Sequence, residues 1–281
     1  MAIIAFWSNE EKETGQTMSM IALTTYMAIE HNYRILSIGT SFKDKTLENS
    51  YWNMTKMENL IKNISQTQDN QVNIESGVEG LIKVINSNIG NRSVVQNYTR
   101  IVFRDRLDVL CSPRTENYED YKATASMYTK VLQTANRSYD LVFIDVSKSV
   151  PKDQIKQILE MADIIVINFT QKLQHIDNYI KLREENDFFK KKNILLNIGR
   201  YDKYSKYNIK NVSRYMKEKK DVNATLYNTL FFEACSEANV AELFLRLRKV
   251  EDDDRNGIFI AEIKKMADNL IYKMQELQIK I

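Results

Sequence analysis

Apolar residues fall along this chain in two patterns that alternate from one end to the other. Short continuous runs at 2–7, 35–38, 107–111, 141–146, 164–169, 194–198 and 224–227 read as strands. Between them, apolar positions recur every three or four residues. From Thr17 onward Met20, Ile21, Leu23, Thr24 and Met27 keep helical spacing, and similar spacing predicts helices over 44–64, 77–86, 117–135, 173–189, 209–216, 233–250 and 258–277. Pro151 stands where a proline can open another helix, before Ile155, Ile158 and Leu159. A strand apolar throughout is covered on both faces, as in a parallel sheet. The alternation therefore predicts an α/β fold: a doubly wound, mostly parallel sheet with helices on both faces. Residues 65–73 are polar and read as a surface loop. The segment 42–106 reads as a helical insertion within a single domain spanning 1–281, and the run at Ile101–Phe103 has no assigned place in it.

Composition narrows the picture. Seven glycines and two prolines among 281 residues are few against typical usage of about 7% and 5%. That suits long helices and argues against a β-sandwich rich in glycine turns. Lys and Arg number 40 and Asp and Glu 37, so the charge balance gives no argument for a nucleic-acid coat protein. Cys111 and Cys235 suit a reducing compartment better than a disulfide framework. Two cysteines and two histidines scattered apart form no metal-ligand cluster. No apolar run approaches the roughly 20 residues of a membrane helix, and the start lacks a basic region leading into an apolar signal segment. The expected location is cytoplasmic, with no integral membrane segment.

The opening of the chain carries the candidate chemistry. Strand, polar loop, helix and strand over residues 2–38 form a βαβ unit whose loop enters the helix at Gly15. Backbone N–H groups and the positive end of the helix dipole converge there, so an anion is the natural guest. Glu11-Lys12-Glu13-Thr14-Gly15-Gln16-Thr17 resembles the phosphate-binding loop of the ParA/MinD group of P-loop ATPases in a degenerate form. Tyr139-Asp140-Leu141-Val142-Phe143-Ile144-Asp145 resembles that group's Walker B strand. Ala162-Asp163 before an apolar run, Asn193–Asn197 followed by Gly199, and Asn228–Leu243 are similar to later segments of the family, in the same order.

The resemblance implies a three-layer P-loop fold and a set of ligands. ATP would be held by Lys12, Gly15, Gln16, Thr17, Met18 and Asn197, and Mg²⁺ by Thr17 and Asp145. The departures fall where turnover is carried out. Gln16 stands in the place of the phosphate-gripping lysine, and the group's second lysine falls on Glu11 with Lys12 one place late. Gly39-Thr40-Ser41 replaces a strand end that carries two aspartates, and Asp145-Val146-Ser147-Lys148 replaces a switch containing one. Phosphoryl transfer is mostly positioning and charge neutralisation, so no catalytic residue is assigned. The implied function is a homodimeric positioning or partitioning protein that binds ATP weakly without efficient hydrolysis. Its cargo would be a plasmid or chromosome, a conjugation apparatus or a pilus machine, pilus- and secretion-associated branches of the family being included. The alternatives are a nucleotide-free pseudo-ATPase serving as a protein-interaction scaffold and, third, an ATPase in which Lys12 restores the missing charge. The tyrosine–lysine stretch from Arg200 to Lys220 reads as a solvated helix face, and DNA is the partner it would otherwise contact.

Overall fold

Eight strands form one sheet in the order β3-β4-β2-β5-β1-β6-β7-β8. A computed structural model describes residues 1–11, 13–53, 77–87, 94–217, 222–251 and 254–277. The strands are β1 (Ala2–Trp7), β2 (Ile35–Gly39), β3 (Arg100–Phe103), β4 (Leu107–Leu110), β5 (Leu141–Asp145), β6 (Ile164–Phe169), β7 (Ile194–Tyr201) and β8 (Val222–Leu226). Every described pairing is parallel except β3 with β4. β5 sits between β1 and β2, parallel to both.

Side chains along each strand alternate between two cores. In β1, Ile3, Ala5 and Trp7 face one core and Ala2, Ile4 and Phe6 the other. The second core is closed by α1 (Gln16–Glu30), α2 (Thr46–Asn49), α10 (Thr229–Glu237), α11 (Val240–Leu247) and the long α12 (Arg255–Glu276). The first is covered by α3 (Val78–Asn86), α4 (Tyr118–Ala125), α5 (Tyr128–Ala135), α6 (Lys152–Met161), α7 (Leu173–Glu185), α8 (Asp187–Lys191) and α9 (Ile209–Tyr215). The result is a three-layer α/β/α sandwich, the fold class that the apolar runs predict. Among the described residues no helix is long and apolar enough to cross a membrane.

The structure departs from the sequence pattern at a few places. The helix predicted over 117–135 is two, with a turn at 126–127 where the Ser126 hydroxyl donates to the Ala123 carbonyl at 2.6 Å. The helix predicted over 173–189 stops at Asn186, whose extended backbone and side chain cap α8 through the Phe188 N–H. Ala238, at φ 63, divides the segment predicted as one helix over 233–250. Ile101–Phe103 belongs to β3, the antiparallel edge strand, so the segment 42–106 contributes to the sheet as well as helices. Beyond residue 53 the helix predicted over 44–64, and the loop after it, lie outside the described residues.

Candidate functional site

The carboxyl ends of β1, β2, β5 and β7 meet the start of α1 around a cavity of about 820 Å³. This is where a parallel sheet places its ligands, since loops rather than helices cover the strand ends there. Gly15, at φ 69, turns the loop into α1 and has no side chain with which to cap it. The first helical hydrogen bond runs from Ser19 N to Gly15 O at 2.8 Å, so the N–H groups of Gln16, Thr17 and Met18 have no acceptor within the helix. The loop is held down from β7: a Cβ on Gly199 would lie 1.9 Å from the Thr14 carbonyl oxygen. Only glycine permits that approach.

Asp145 ends β5 and forms the cavity floor. It is 6% exposed. The Thr17 hydroxyl donates to its Oδ2 at 2.6 Å, and the Gln16 amide donates to its Oδ1 at 2.6 Å and to the Val146 carbonyl at 3.1 Å. Burial pushes the Asp145 carboxyl up to about 6, against the opposing pull of the Thr17 and Gln16 hydrogen bonds. The neighbouring strand end braces this arrangement. Thr40 donates to the Asp145 carbonyl at 2.7 Å and accepts from Ser147 N at 2.9 Å. Tyr121 and Tyr128 donate to the carbonyls of Thr40 and Gly39. The end of β2 therefore supplies support and no carboxylate; Ser41 and Asp44 line the cavity beyond it.

The rim carries charge of both signs. Glu10, Glu11 and Glu13 line it from the loop, with Lys148 and Arg200 as its described cations. Glu10 accepts from Asn178 at 3.0 Å and lies 3.5 Å from His175, while Glu13 lies 3.5 Å from Lys172. Lys148 donates to the Asn9 carbonyl at 3.1 Å and stands 5.0 Å over the Trp7 ring. Burial draws its ammonium below the usual lysine range. Glu13 and Arg200 hold left-handed backbone at φ 66 and 53, which costs a residue with a Cβ about 1 kcal/mol or more each. Trp52 and Phe232 supply aromatic walls.

Of the residues that the sequence suggested, Gly15, Gln16, Thr17, Met18 and Asp145 line this one cavity. Asn197 does not. It is fully buried behind α1, donating to Ser19 at 3.0 Å and Asn168 at 2.8 Å and accepting from Thr225 at 3.3 Å. Its polar groups are satisfied by the protein, so the structure gives it a place in the packing and none in the cavity. Lys12 lies outside the described residues. Arg200 and Lys148 were not singled out by the sequence as site residues. A glycine ending an apolar strand run, as Gly199 does, is the signal that marks a bulge or a close approach next to Arg200.

A parallel three-layer sheet whose first loop opens into a helix beside the aspartate of its central strand is the fold of the ParA- and MinD-type ATPases. Three solved structures show the likeness. A ParA family ATPase from Chlorobium tepidum TLS matches with a TM-score of 0.65 and 14% identity, over 92% of this chain and 95% of that one. A protein described as a plasmid partition protein, from Borrelia burgdorferi B31 and bound to AMPPNP, matches at 0.63 and 18%, over 97% and 99%. The septum site-determining protein MinD of Pyrococcus horikoshii OT3, complexed with Mg-ADP, matches at 0.62 and 12%, over 97% and 98%. At these identities the likeness is one of fold. No protein-family model and no curated protein matches the sequence.

Proposed function

We propose that this chain is a ParA/MinD-like positioning or partitioning protein that holds Mg²⁺–ATP weakly at the β1–α1 loop and does not turn it over efficiently. The observation that carries the reading is the meeting of the Thr17 hydroxyl and the Asp145 carboxylate, 2.6 Å apart, at the cavity floor below the uncapped start of α1. This donor set fits the proposed ligands in part. Thr17 and Asp145 are oxygen donors of the kind Mg²⁺ takes, directly or through water, and the N–H groups of Gln16–Met18 suit phosphate oxygens. Bound there, the ion would neutralise phosphate charge. Gln16 does not fit the role of the missing lysine, because its amide already donates to the Asp145 carboxylate and the Val146 carbonyl. Glu10, Glu11 and Glu13 further oppose a polyanion, which is why binding is weak and hydrolysis slow. In this reading the chain is a single cytoplasmic domain that works as a homodimer with a protein partner of a segregation, conjugation or pilus system.

The engagement of Gln16 also favours a second reading, a nucleotide-free scaffold that keeps the fold as a docking surface. Thermal unfolding separates the two. Saturation by Mg²⁺–ATP to about 100 times the dissociation constant adds about 2.7 kcal/mol, or about 5 °C in a chain of this size. Thr17→Ala abolishes the shift. A melting temperature indifferent to millimolar Mg²⁺–ATP leaves the scaffold as the reading that stands.

A further inference from the structure

A bulge near the end of β7 aims one side chain at the loop. Ile198 pairs with Ala224 and Tyr201 with Leu226, so three steps along β7 match two along β8. Leu196, Ile198 and Tyr201 all enter the same core, the one beneath α7 and α9. Regular alternation from Ile198 would have sent Arg200 there. The extra residue gives that place to Tyr201 and releases Arg200, which re-aiming is what bulges beside sites commonly do. The Arg200 side chain turns to the α1 face, where its Cγ lies 3.3 Å and its backbone N 3.4 Å from the point a Cβ on Gly15 would occupy. It lines the cavity with its side chain exposed, its backbone held at φ 53.

Among the described residues, several other polar groups near the start of α1 are committed. Lys148 is tied to Asn9 and the Trp7 ring, and Gln16 to β5. Glu13 turns to Lys172 and Glu10 to His175. Among the described residues Arg200 makes no ion pair, although three glutamates line the same cavity. A guanidinium presents five donors in a planar fork that matches phosphate oxygens.

We propose that Arg200 is the phosphate-binding cation of this cavity: together with the N–H groups at the start of α1 it holds a polyphosphate anion, supplying from β7 the charge that the loop lacks at Gln16. The proposal rests on reading the cavity as a phosphate site. It also accounts for an arginine kept in left-handed backbone at a place where glycine would sit without strain.

The test measures binding of a fluorescent ATP analogue and of inorganic tripolyphosphate, each with Mg²⁺, to the full chain and its Arg200 variants. Arg200→Gly relieves the backbone, so it melts at or above the wild type, yet it loses at least tenfold in affinity for both probes. Arg200→Lys recovers part of that loss, and wild-type affinity falls more steeply with salt than that of Arg200→Gly. If Arg200→Gly is too unstable to assay, Arg200→Lys against Arg200→Gln reads the charge with side-chain length retained. Binding by Arg200→Gly within twofold of wild type overturns the assignment and leaves the nucleotide reading intact. Wild type that binds tripolyphosphate but no nucleotide overturns the nucleotide reading, and Arg200 is then judged on tripolyphosphate. Binding of neither probe overturns both.

Discussion

At the floor of the cavity, Asp145, Thr17 and Gln16 hold one another by hydrogen bonds of 2.6 Å under the cover of β1, β2 and α1. At its rim, Glu11, Glu13 and Arg200 stand in solvent on strained or irregular backbone. The floor coincides with the centre of the sheet, so the packing that makes the fold also makes the floor. Its polar groups must be satisfied because they are buried. The exposed rim positions have no such obligation, and water screens their charges. The oxygens of the floor are therefore fixed by the fold, whereas the charges of the rim are not.

Three substitutions sharpen or break that contrast. Gly199→Ala drives a methyl group into the Thr14 carbonyl and should destabilise the fold by about 3 kcal/mol, the upper range for overpacking. Thermal or denaturant unfolding reads it directly, and a neutral result would mean that the loop is not clamped to the sheet. Asp145→Asn probes the buried floor through pH. The folded carboxyl titrates at about 6, above the roughly 3.9 of an unfolded aspartate. The wild type therefore binds its proton more tightly when folded, and this stabilisation, full below about pH 4, is lost as pH rises past about 6. Between those limits, the unfolding free energy of Asp145→Asn should gain about 2 kcal/mol on the wild type. Parallel curves in denaturant titrations at the two pH values would mean that the floor is not desolvated. Glu13→Gly acts on the rim. It gives up an exposed pairing with Lys172 that is worth little, and it relieves left-handed backbone. A gain of about 0.5–1 kcal/mol is expected, with tighter tripolyphosphate binding. A loss of stability would show that the rim is as constrained as the floor.

The central strands were legible in the chain because they are covered on both faces and therefore largely apolar, whereas the exposed edge strand β3 was not read as one. β6 spans the predicted residues without adjustment, and β5 was recognisable from the Asp145 that closes it. The break of a predicted helix at Asn186 was readable in principle, an asparagine being a natural cap, but periodicity outweighed it. Asn197 shows the limit. The family resemblance suggested a ligand contact, whereas its partners Ser19, Asn168 and Thr225 come from α1, β6 and β8, and no local pattern announces a meeting of that kind.

By itself, then, the sequence determined the layering, the order of strands and helices along the chain, and the placement of an anion-suited loop after the first strand. Those properties follow from hydrophobic periodicity and backbone chemistry, which are local. Only the tertiary structure decided that Gln16 bonds to β5, that Asn197 is sealed into the packing, and that a bulge swings Arg200 over Gly15. Such outcomes depend on which residues, far apart in the chain, compete for the same buried partner or the same space. That competition is resolved only once the sheet and its helices have closed together.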